Sequence, residues 1–256
     1  MISMDDRVVG APCWADLMTP DIDQAIDFYT SVFDWTAERG DEATYGGYTT
    51  FFRDGEKVAG VMQRQPDDVT PSAWTTYLLT LNAAATTAAI AEAGGTVVFE
   101  PMDVPSMGVM GFAIDPSGAA IGYWQPGGHE GWDAYAVPNA VAWNELHTTD
   151  FRAATDFYQR AFDWTFTVAG DTDEFRYSNF QHGEQLLAGV MDGSAWLTES
   201  TPSAWQLYIG SSDVDATVAR ALEKGATVVE APEVTPYGTL AGITDPGGAY
   251  LKLRSI

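Results

Sequence analysis

Residues Trp14 to Trp35, WADLMTPDIDQAIDFYTSVFDW, return at Trp143 to Trp164 as WNELHTTDFRAATDFYQRAFDW, aligned without a gap at a spacing of 129 residues. Eleven of the 22 positions are identical. A repeat at half the chain length means that one architecture is built twice. The 256 residues then divide into two domains of about 125 residues each. The expected boundaries are 1–126 for the first domain, 127–139 for a linker and 140–256 for the second. The linker stretch GGHEGWDAYAVPN has the glycine and proline content of an interdomain connection, with His129 expected as a solvated side chain in it.

Each copy reads as a strand followed by a helix. Trp14 to Thr19 has the apolar content of a half-buried strand. Asp21 and Asp150 stand where a helix N-cap belongs, and Gln24 follows Asp21 in a capping-box pattern. Ile22, Ala25, Ile26, Tyr29, Val32 and Phe33 then recur at helical spacing, as do Phe151, Ala154, Tyr158, Ala161 and Phe162. Each helix thus carries one apolar stripe to lay on a sheet.

Further along, Thr44 to Arg53 and Lys57 to Gln63 read as strands joined through Asp54-Gly55, a strong hairpin signal. Thr70 to Leu81 opens a new strand, and the helix over Ala83 to Ala93 ends at Gly94-Gly95. Thr96 to Phe99 is a strand, and Glu100 to Met110 is expected as a loop. Asp115-Pro116-Ser117-Gly118 is a turn sequence before the half's last strand. The second half repeats this order through His182-Gly183, the helix from Asp213 to Lys224 and Asp245-Pro246-Gly247-Gly248. Trp14, Trp74, Trp143 and Trp205 each begin a strand and are followed three residues later by Leu17, Tyr77, Leu146 and Tyr208. The chain is therefore four β-α-β-β-β units.

Composition narrows the partners. Twelve Lys and Arg against 36 Asp and Glu leave a net charge of −24, which repels phosphate backbones and anionic membranes. Nucleic acid and membrane are not expected partners; a small molecule is. Cys13 is the only cysteine, so no intrachain disulfide forms, and it reads as a small apolar residue. The N-terminal MISMDDRVVG lacks the apolar run of a secretory signal, and no stretch approaches a membrane span, so a cytoplasmic protein is expected. Monomer and homodimer both remain open.

Four such units resemble the vicinal oxygen chelate superfamily of glyoxalases, bleomycin-resistance proteins, extradiol dioxygenases and fosfomycin-resistance enzymes. The residues carrying the likeness are Asp21, Phe28, Tyr29, Phe33, Asp34 and Trp35 with Asp115, Pro116 and Gly118. Their partners are Asp150, Phe157, Tyr158, Phe162, Asp163 and Trp164 with Asp245, Pro246 and Gly248. The resemblance spans the chain and is closest to tandem two-domain glyoxalase-like proteins. It implies an α+β fold in which four βαβββ units form two glyoxalase-like domains with curled mixed sheets, each enclosing a ligand funnel.

Metal-using members of that superfamily place His, Gln or Glu early in a unit's first strand and Glu in its last. Here the early slots fall at or beside Trp14, Trp74, Trp143 and Trp205, and the last-strand slots fall on Gly122 and Lys252. Neither metal nor other cofactor is expected on these residues, since a cation needs several converging oxygen or nitrogen donors.

Alternation along a strand groups Trp14, Asp16 and Met18 on one face, and Trp143, Glu145 and His147 on the matching face. The resemblance turns these faces into the funnels, joined by Trp74 and Thr76 and by Trp205 and Leu207 from the intervening units. The expected ligand residues are Trp14, Trp74, Trp143, Trp205, Tyr48, Tyr177 and Lys252. Indoles offer flat apolar area, one N–H donor and attraction for cations. Asp16, Glu145 and His147 are the acid–base candidates, because a carboxylate on an apolar face has a raised pKa and histidine titrates near neutrality; a satisfied ion pair of Glu145 with Lys252 is the alternative. Three functions fit. One is metal-independent binding of a small aromatic or cationic metabolite or antibiotic, as in bleomycin-resistance relatives. Another is a metal-free isomerase, lyase or cyclase. The third is a glyoxalase- or dioxygenase-type metalloenzyme with unusual ligands.

Overall fold

The computed structural model describes residues 7–199 and 201–256, so Met1 to Asp6, the start of the N-terminal stretch read above, lies outside the described residues. The first half runs β1 (Pro12–Thr19), α1 (Ile22–Phe33), β2 (Thr36–Arg39), α2 (Glu42–Tyr45), β3 (Thr49–Arg53), β4 (Glu56–Gln63), β5 (Ala73–Leu79), α3 (Ala83–Glu92), β6 (Thr96–Val104), β7 (Gly108–Ile114) and β8 (Ala120–Pro126). The second runs β9 (Val141–Thr148), α4 (Phe151–Phe162), β10 (Phe166–Asp171), β11 (Arg176–His182), β12 (Gln185–Asp192), β13 (Ala204–Ser211), α5 (Val214–Glu223), β14 (Thr227–Thr235), β15 (Gly238–Thr244) and β16 (Tyr250–Ser255).

The two open sheets have the same order, β2-β3-β4-β1-β5-β8-β7-β6 and β10-β11-β12-β9-β13-β16-β15-β14. Both are mixed: β1 is parallel to β4 and antiparallel to β5, and β9 to β12 and β13 likewise. The architecture is α+β, two sheets of eight strands with helices on one face of each. No helix among the described residues is long and apolar enough to cross a membrane.

Local chemistry explains the element ends. Asp21, Asn82, Asp150 and Asp213 cap α1, α3, α4 and α5, each accepting from the backbone N–H three residues on. Asp34 and Asp163 close α1 and α4 in the left-handed region (φ 56° and 57°), reached before the chain turns into Trp35 and Trp164. Two expectations are corrected. Residues 42–45 form a short helix ahead of β3, where a longer strand from Thr44 is expected. Glu100 to Met110 is mostly strand, since β6 runs on to Val104 and turns into β7. Proline at position 101 is tolerated there because β6 is an edge strand.

The helices lie between the sheets, with α1 against α5 and α3 against α4, so each core belongs to both halves. One core joins Phe28, Tyr29, Phe33 and Trp35 to Val214, Val218, Ile243 and Leu251. The other joins Ile90, Ile121 and Tyr123 to Phe157, Tyr158, Phe162 and Trp164. The opposite, inner face of each sheet carries the polar residues described next.

Candidate functional site

Cross-strand partners share a face of a sheet. Trp14 is opposite Tyr77, Asp16 opposite Thr75, and Leu17 opposite Trp74. In the second half Trp143 is opposite Tyr208, Glu145 opposite Gln206, and Leu146 opposite Trp205. Leu17 and Leu146 pack under the helices, and so therefore do Trp74 and Trp205. This corrects the expectation that all four tryptophans, with Thr76 and Leu207, share the faces of the two inner carboxylates: only Trp14 and Trp143 stand on the faces of Asp16 and Glu145. The inner face instead receives Tyr77 and Tyr208.

All four indoles nonetheless make the same relay, an N–H donating to a phenol that donates to a carboxylate. On the helix side Trp74 donates to Tyr29 (3.1 Å) and Tyr29 to Asp245 (2.9 Å), while Trp205 donates to Tyr158 (2.9 Å) and Tyr158 to Asp115 (3.2 Å). These two relays cross between the halves. On the inner faces Trp14 donates to Tyr48 (2.8 Å) and Tyr48 to Asp16 (3.4 Å), while Trp143 donates to Tyr177 (3.2 Å) and Tyr177 to Glu145 (2.6 Å).

Around each inner carboxylate runs a ring of four positions. In the first half these are Asp16, its β4 neighbour Gly60, Tyr77 and its β8 neighbour Gly122. In the second they are Glu145, Gly189, Tyr208 and Lys252. The glycines make room for phenols: a Cβ at Gly60 would collide with the Tyr48 hydroxyl, at Gly122 with the Tyr77 ring, and at Gly189 with the Tyr177 hydroxyl. The rings are thus filled by tyrosines focused on one carboxylate.

The two rings differ in electrostatics. Asp16 accepts from Tyr77 and Tyr48 at 3.3 and 3.4 Å. These long bonds only partly offset its burial, which raises its pKa to about 7. Glu145, one methylene longer, reaches both phenols closely, with Tyr177 at 2.6 Å and Tyr208 at 2.9 Å, and stands 2.7 Å from Nε2 of His147. Burial pushes this carboxyl upward too, but His147 and the two phenols outweigh it and hold its pKa below the ordinary value. The phenols respond in turn: burial first, then the Glu145 charge, raises the pKa of Tyr177 and Tyr208.

Lys252 is buried in the second ring, but its partner is Glu230 at 3.1 Å, with Nζ 5.6 Å from the Tyr208 ring centre. The ion pair of Glu145 with Lys252 is therefore corrected. Glu230, Gly242 and Lys252 stand in one row across β14, β15 and β16, and the glycine between them makes room for the Tyr250 hydroxyl, which donates to Glu230 at 2.9 Å.

Access separates the rings further. In the first, the His129 ring packs edge-on against Trp14 with centroids 4.4 Å apart, and the Trp124 indole donates to the His129 carbonyl. The 127–133 segment is held by His129 to Met107, Trp132 to Cys13 and Asp133 to Lys57. His129 is thus not a solvated linker residue; burial, with Lys57 next, lowers its pKa to about 4. The second ring has Trp143 partly exposed, and Trp196 packs edge-on to His147 while remaining 49% exposed. Tyr237, 58% exposed, is near enough to Tyr177 to contribute to raising its pKa.

A divalent cation at this level would need several donors around one point. The first ring offers one carboxylate, two glycines and phenols; the second offers one carboxylate with His147 beside it, one glycine, phenols and a lysine. Among the described residues no three His, Cys, Asp or Glu side chains converge. The residues present do not fit a cation of the kind metal-using relatives hold. Tyr77 and Tyr208 were the residues that sequence reasoning missed. They stand six residues before the first helical residues Ala83 and Val214, as Asp16 and Glu145 stand six before Ile22 and Phe151. Counting back from the N-caps, which are legible in the sequence, finds them.

The family model for the Glyoxalase/Bleomycin resistance protein/Dioxygenase superfamily matches residues 12–123 and 140–253. The chain is 37% identical to the anthracycline biosynthesis protein DnrV of Streptomyces peucetius, across 94% of this chain and 91% of that one. It is 31% identical to the putative glyoxylase CFP32 of Mycobacterium tuberculosis (strain CDC 1551 / Oshkosh), across 95% and 94%. Its fold matches that of a Mn(II)-bound glyoxalase from Novosphingobium aromaticivorans with a TM-score of 0.65 at 17% identity, over 96% of this chain and 82% of that one.

Proposed function

The chain belongs to the glyoxalase/bleomycin resistance/dioxygenase superfamily, and from that premise we propose that its second half binds a small, flat aromatic molecule without a metal. The observation carrying this reading is the convergence of Tyr177, Tyr208 and His147 on the Glu145 carboxylate at the level of the ring. A held negative charge ringed by phenols and indoles suits an aromatic ligand bearing hydroxyl or cationic groups. The exposed rings of Trp196 and Tyr237 offer stacking surface at the rim. A relative involved in anthracycline biosynthesis supports an aromatic ligand. Lys252 stays with Glu230 and serves the wall. The first half, with His129 over Trp14, is the structural copy, and residues 127–139 act as its cover as well as the connection between domains 1–126 and 140–256.

The test is quenching of tryptophan fluorescence by hydroxyanthraquinones and by planar cations. Saturable quenching that falls at least tenfold in affinity in Glu145→Gln and Trp143→Phe is expected. A flat titration across both series overturns the reading. Stoichiometric Ni, Zn, Fe or Mn in protein purified without chelator overturns its metal-free part.

The 2.7 Å approach of His147 to Glu145 favours a second reading, metal-free acid–base catalysis of an isomerase, lyase or cyclase type. There Glu145→Gln abolishes turnover and leaves affinity nearly intact, which separates the two readings.

A further inference from the structure

The hydrogen bonds of the second ring fix where the proton of His147 sits. Glu145 Oε2 accepts from Tyr177 at 2.6 Å and Oε1 from Tyr208 at 2.9 Å, and His147 Nε2 stands 2.7 Å from Oε1. A carboxylate that receives two phenol protons, with its pKa held below the ordinary value, is ionised and can only accept. The short approach of Nε2 therefore requires a proton on that nitrogen. The tautomer of the neutral ring follows, with the lone pair on Nδ1.

Nδ1 is the atom left over. It makes no hydrogen bond among the described residues, and unlike Arg7 Nε or Trp132 Nε1 it is not shielded from solvent. Both Glu145 oxygens are already engaged, and Lys252 is held by Glu230 at 3.1 Å. On the same face His147 stands between Met191 on β12 and Ala204 on β13, so on one side only a methyl lies beside it. Flat rings border the place: Trp196 is edge-on to the imidazole with centroids 6.1 Å apart, and Tyr177, opposite Met191, stacks on Phe175 at 5.8 Å. In the first half Met18 occupies the position of His147 and offers no base.

We infer that the ligand of the second half is an aromatic hydroxyl compound, rather than a planar cation with no proton to give, and that its hydroxyl proton passes to His147 Nδ1. The inference rests on the reading that this half binds a flat aromatic molecule. In the step the O–H bond breaks, the electron pair stays on the phenolate oxygen, and an N–H bond forms at Nδ1. The net charge is unchanged, and the imidazolium stands between the phenolate and the Glu145 carboxylate, hydrogen-bonded to both. Glu145 is the positioning residue: it sets the tautomer and supplies the charge opposite the imidazolium.

The test titrates the full chain with 2-hydroxyanthraquinone, whose absorption moves to the red when its hydroxyl ionises, in a buffer that keeps the free dye protonated. Saturable quenching of tryptophan fluorescence reports binding, and a phenolate band growing in step with it is expected. In His147→Gln affinity should fall about tenfold, and the dye that still binds should keep its neutral spectrum. 2-Methoxyanthraquinone should bind about tenfold more weakly than the hydroxyl compound. The ring 15N resonances of His147, assigned by elimination with His129→Gln and His182→Gln, should pass from the unequal pair of a neutral ring to the near-equal pair of an imidazolium. Quenching without a phenolate band, a band undiminished in His147→Gln, or equal affinity for the methoxy compound overturns the inference and leaves the binding reading standing. The absence of saturable quenching overturns both. Should His147→Gln lose its fold, the 15N spectra of the unsubstituted chain decide: a neutral His147 in the saturated complex overturns the proton transfer.

Discussion

The Tyr29 hydroxyl donates to Oδ2 of Asp245 across 216 residues of chain, at 2.9 Å, and Tyr158 makes the same bond to Asp115 in the reverse direction. The tyrosine of each first helix therefore completes the turn of the opposite half, where Asp115 and Asp245 already accept from the backbone N–H of Ala119 and Ala249. The pair is self-complementary, as at a two-fold interface between identical subunits, but within one chain.

Tyr29→Phe and Tyr158→Phe each remove one hydroxyl with almost no change of shape. Each leaves a buried carboxylate oxygen short of a donor and the indole N–H of Trp74 or Trp205 without an acceptor. A loss of about 1–3 kcal/mol per substitution is expected in urea unfolding. A loss below about 0.5 kcal/mol would show that these bonds do not hold the halves together.

Asp16 gives a pH signature. Its folded pKa of about 7 is above its unfolded value, so between about pH 4 and 7 the unfolded chain ionises while the folded one keeps its proton. Stability falls as pH rises through that window and is flat above it. Asp16→Asn should flatten the fall and gain up to about 4 kcal/mol at pH 8 relative to pH 4, measured by denaturation at both. Glu145 has the opposite sign: its lowered pKa gives stability present above the ordinary glutamate range and lost as pH drops through the folded value.

His129 is kept neutral by burial, with a folded pKa of about 4 below its unfolded value. Between about pH 4 and 6.5 the unfolded chain binds the extra proton, so this group makes stability rise with pH there. Protonation also favours release of the ring from Trp14. Acrylamide quenching of tryptophan should increase below about pH 5 in the native protein and be already raised at pH 7 in His129→Ala. Equal quenching of the two proteins at pH 7 would show that the cover is not closed in solution.

Gly189→Ala puts a methyl where the Tyr177 hydroxyl stands. The phenol must leave Glu145, which should destabilise the protein by about 1–3 kcal/mol and weaken aromatic ligands at least tenfold. Gly60→Ala should cost similar stability through Tyr48 and leave ligand affinity unchanged. Equal loss of affinity in both variants would assign binding to both halves.

The parts legible in the sequence were those set by short-range rules. The caps at Asp21 and Asp150, the helix stripes, the Asp54-Gly55 hairpin and the two Asp-Pro turns each carry their cause within a few residues. Strand parity did not. In Trp-x-x-Leu and Trp-x-x-Tyr the two large residues are three apart, hence on opposite faces, and nothing in the motif tells which faces inward. The antiparallel pairing of β5 on β1 decides it, setting Tyr77 beside Trp14 and Trp74 beside Leu17. The cover over Asp16 was equally unreadable, since glycine-rich composition looks the same whether a segment is free or pinned by Cys13 and Lys57. The partner of Lys252 required knowing that Gly242 stands between it and Glu230.

The reciprocal Tyr–Asp bonds also govern how the two copies were able to drift after duplication. Each copy is custodian of its twin's turn, so neither could change that surface alone. The differences that set the two rings apart lie on the side on which the copies do not hold one another. There Asp16 stands against Glu145, Met18 against His147 and Gly122 against Lys252, and one inheritance holds two unlike basins.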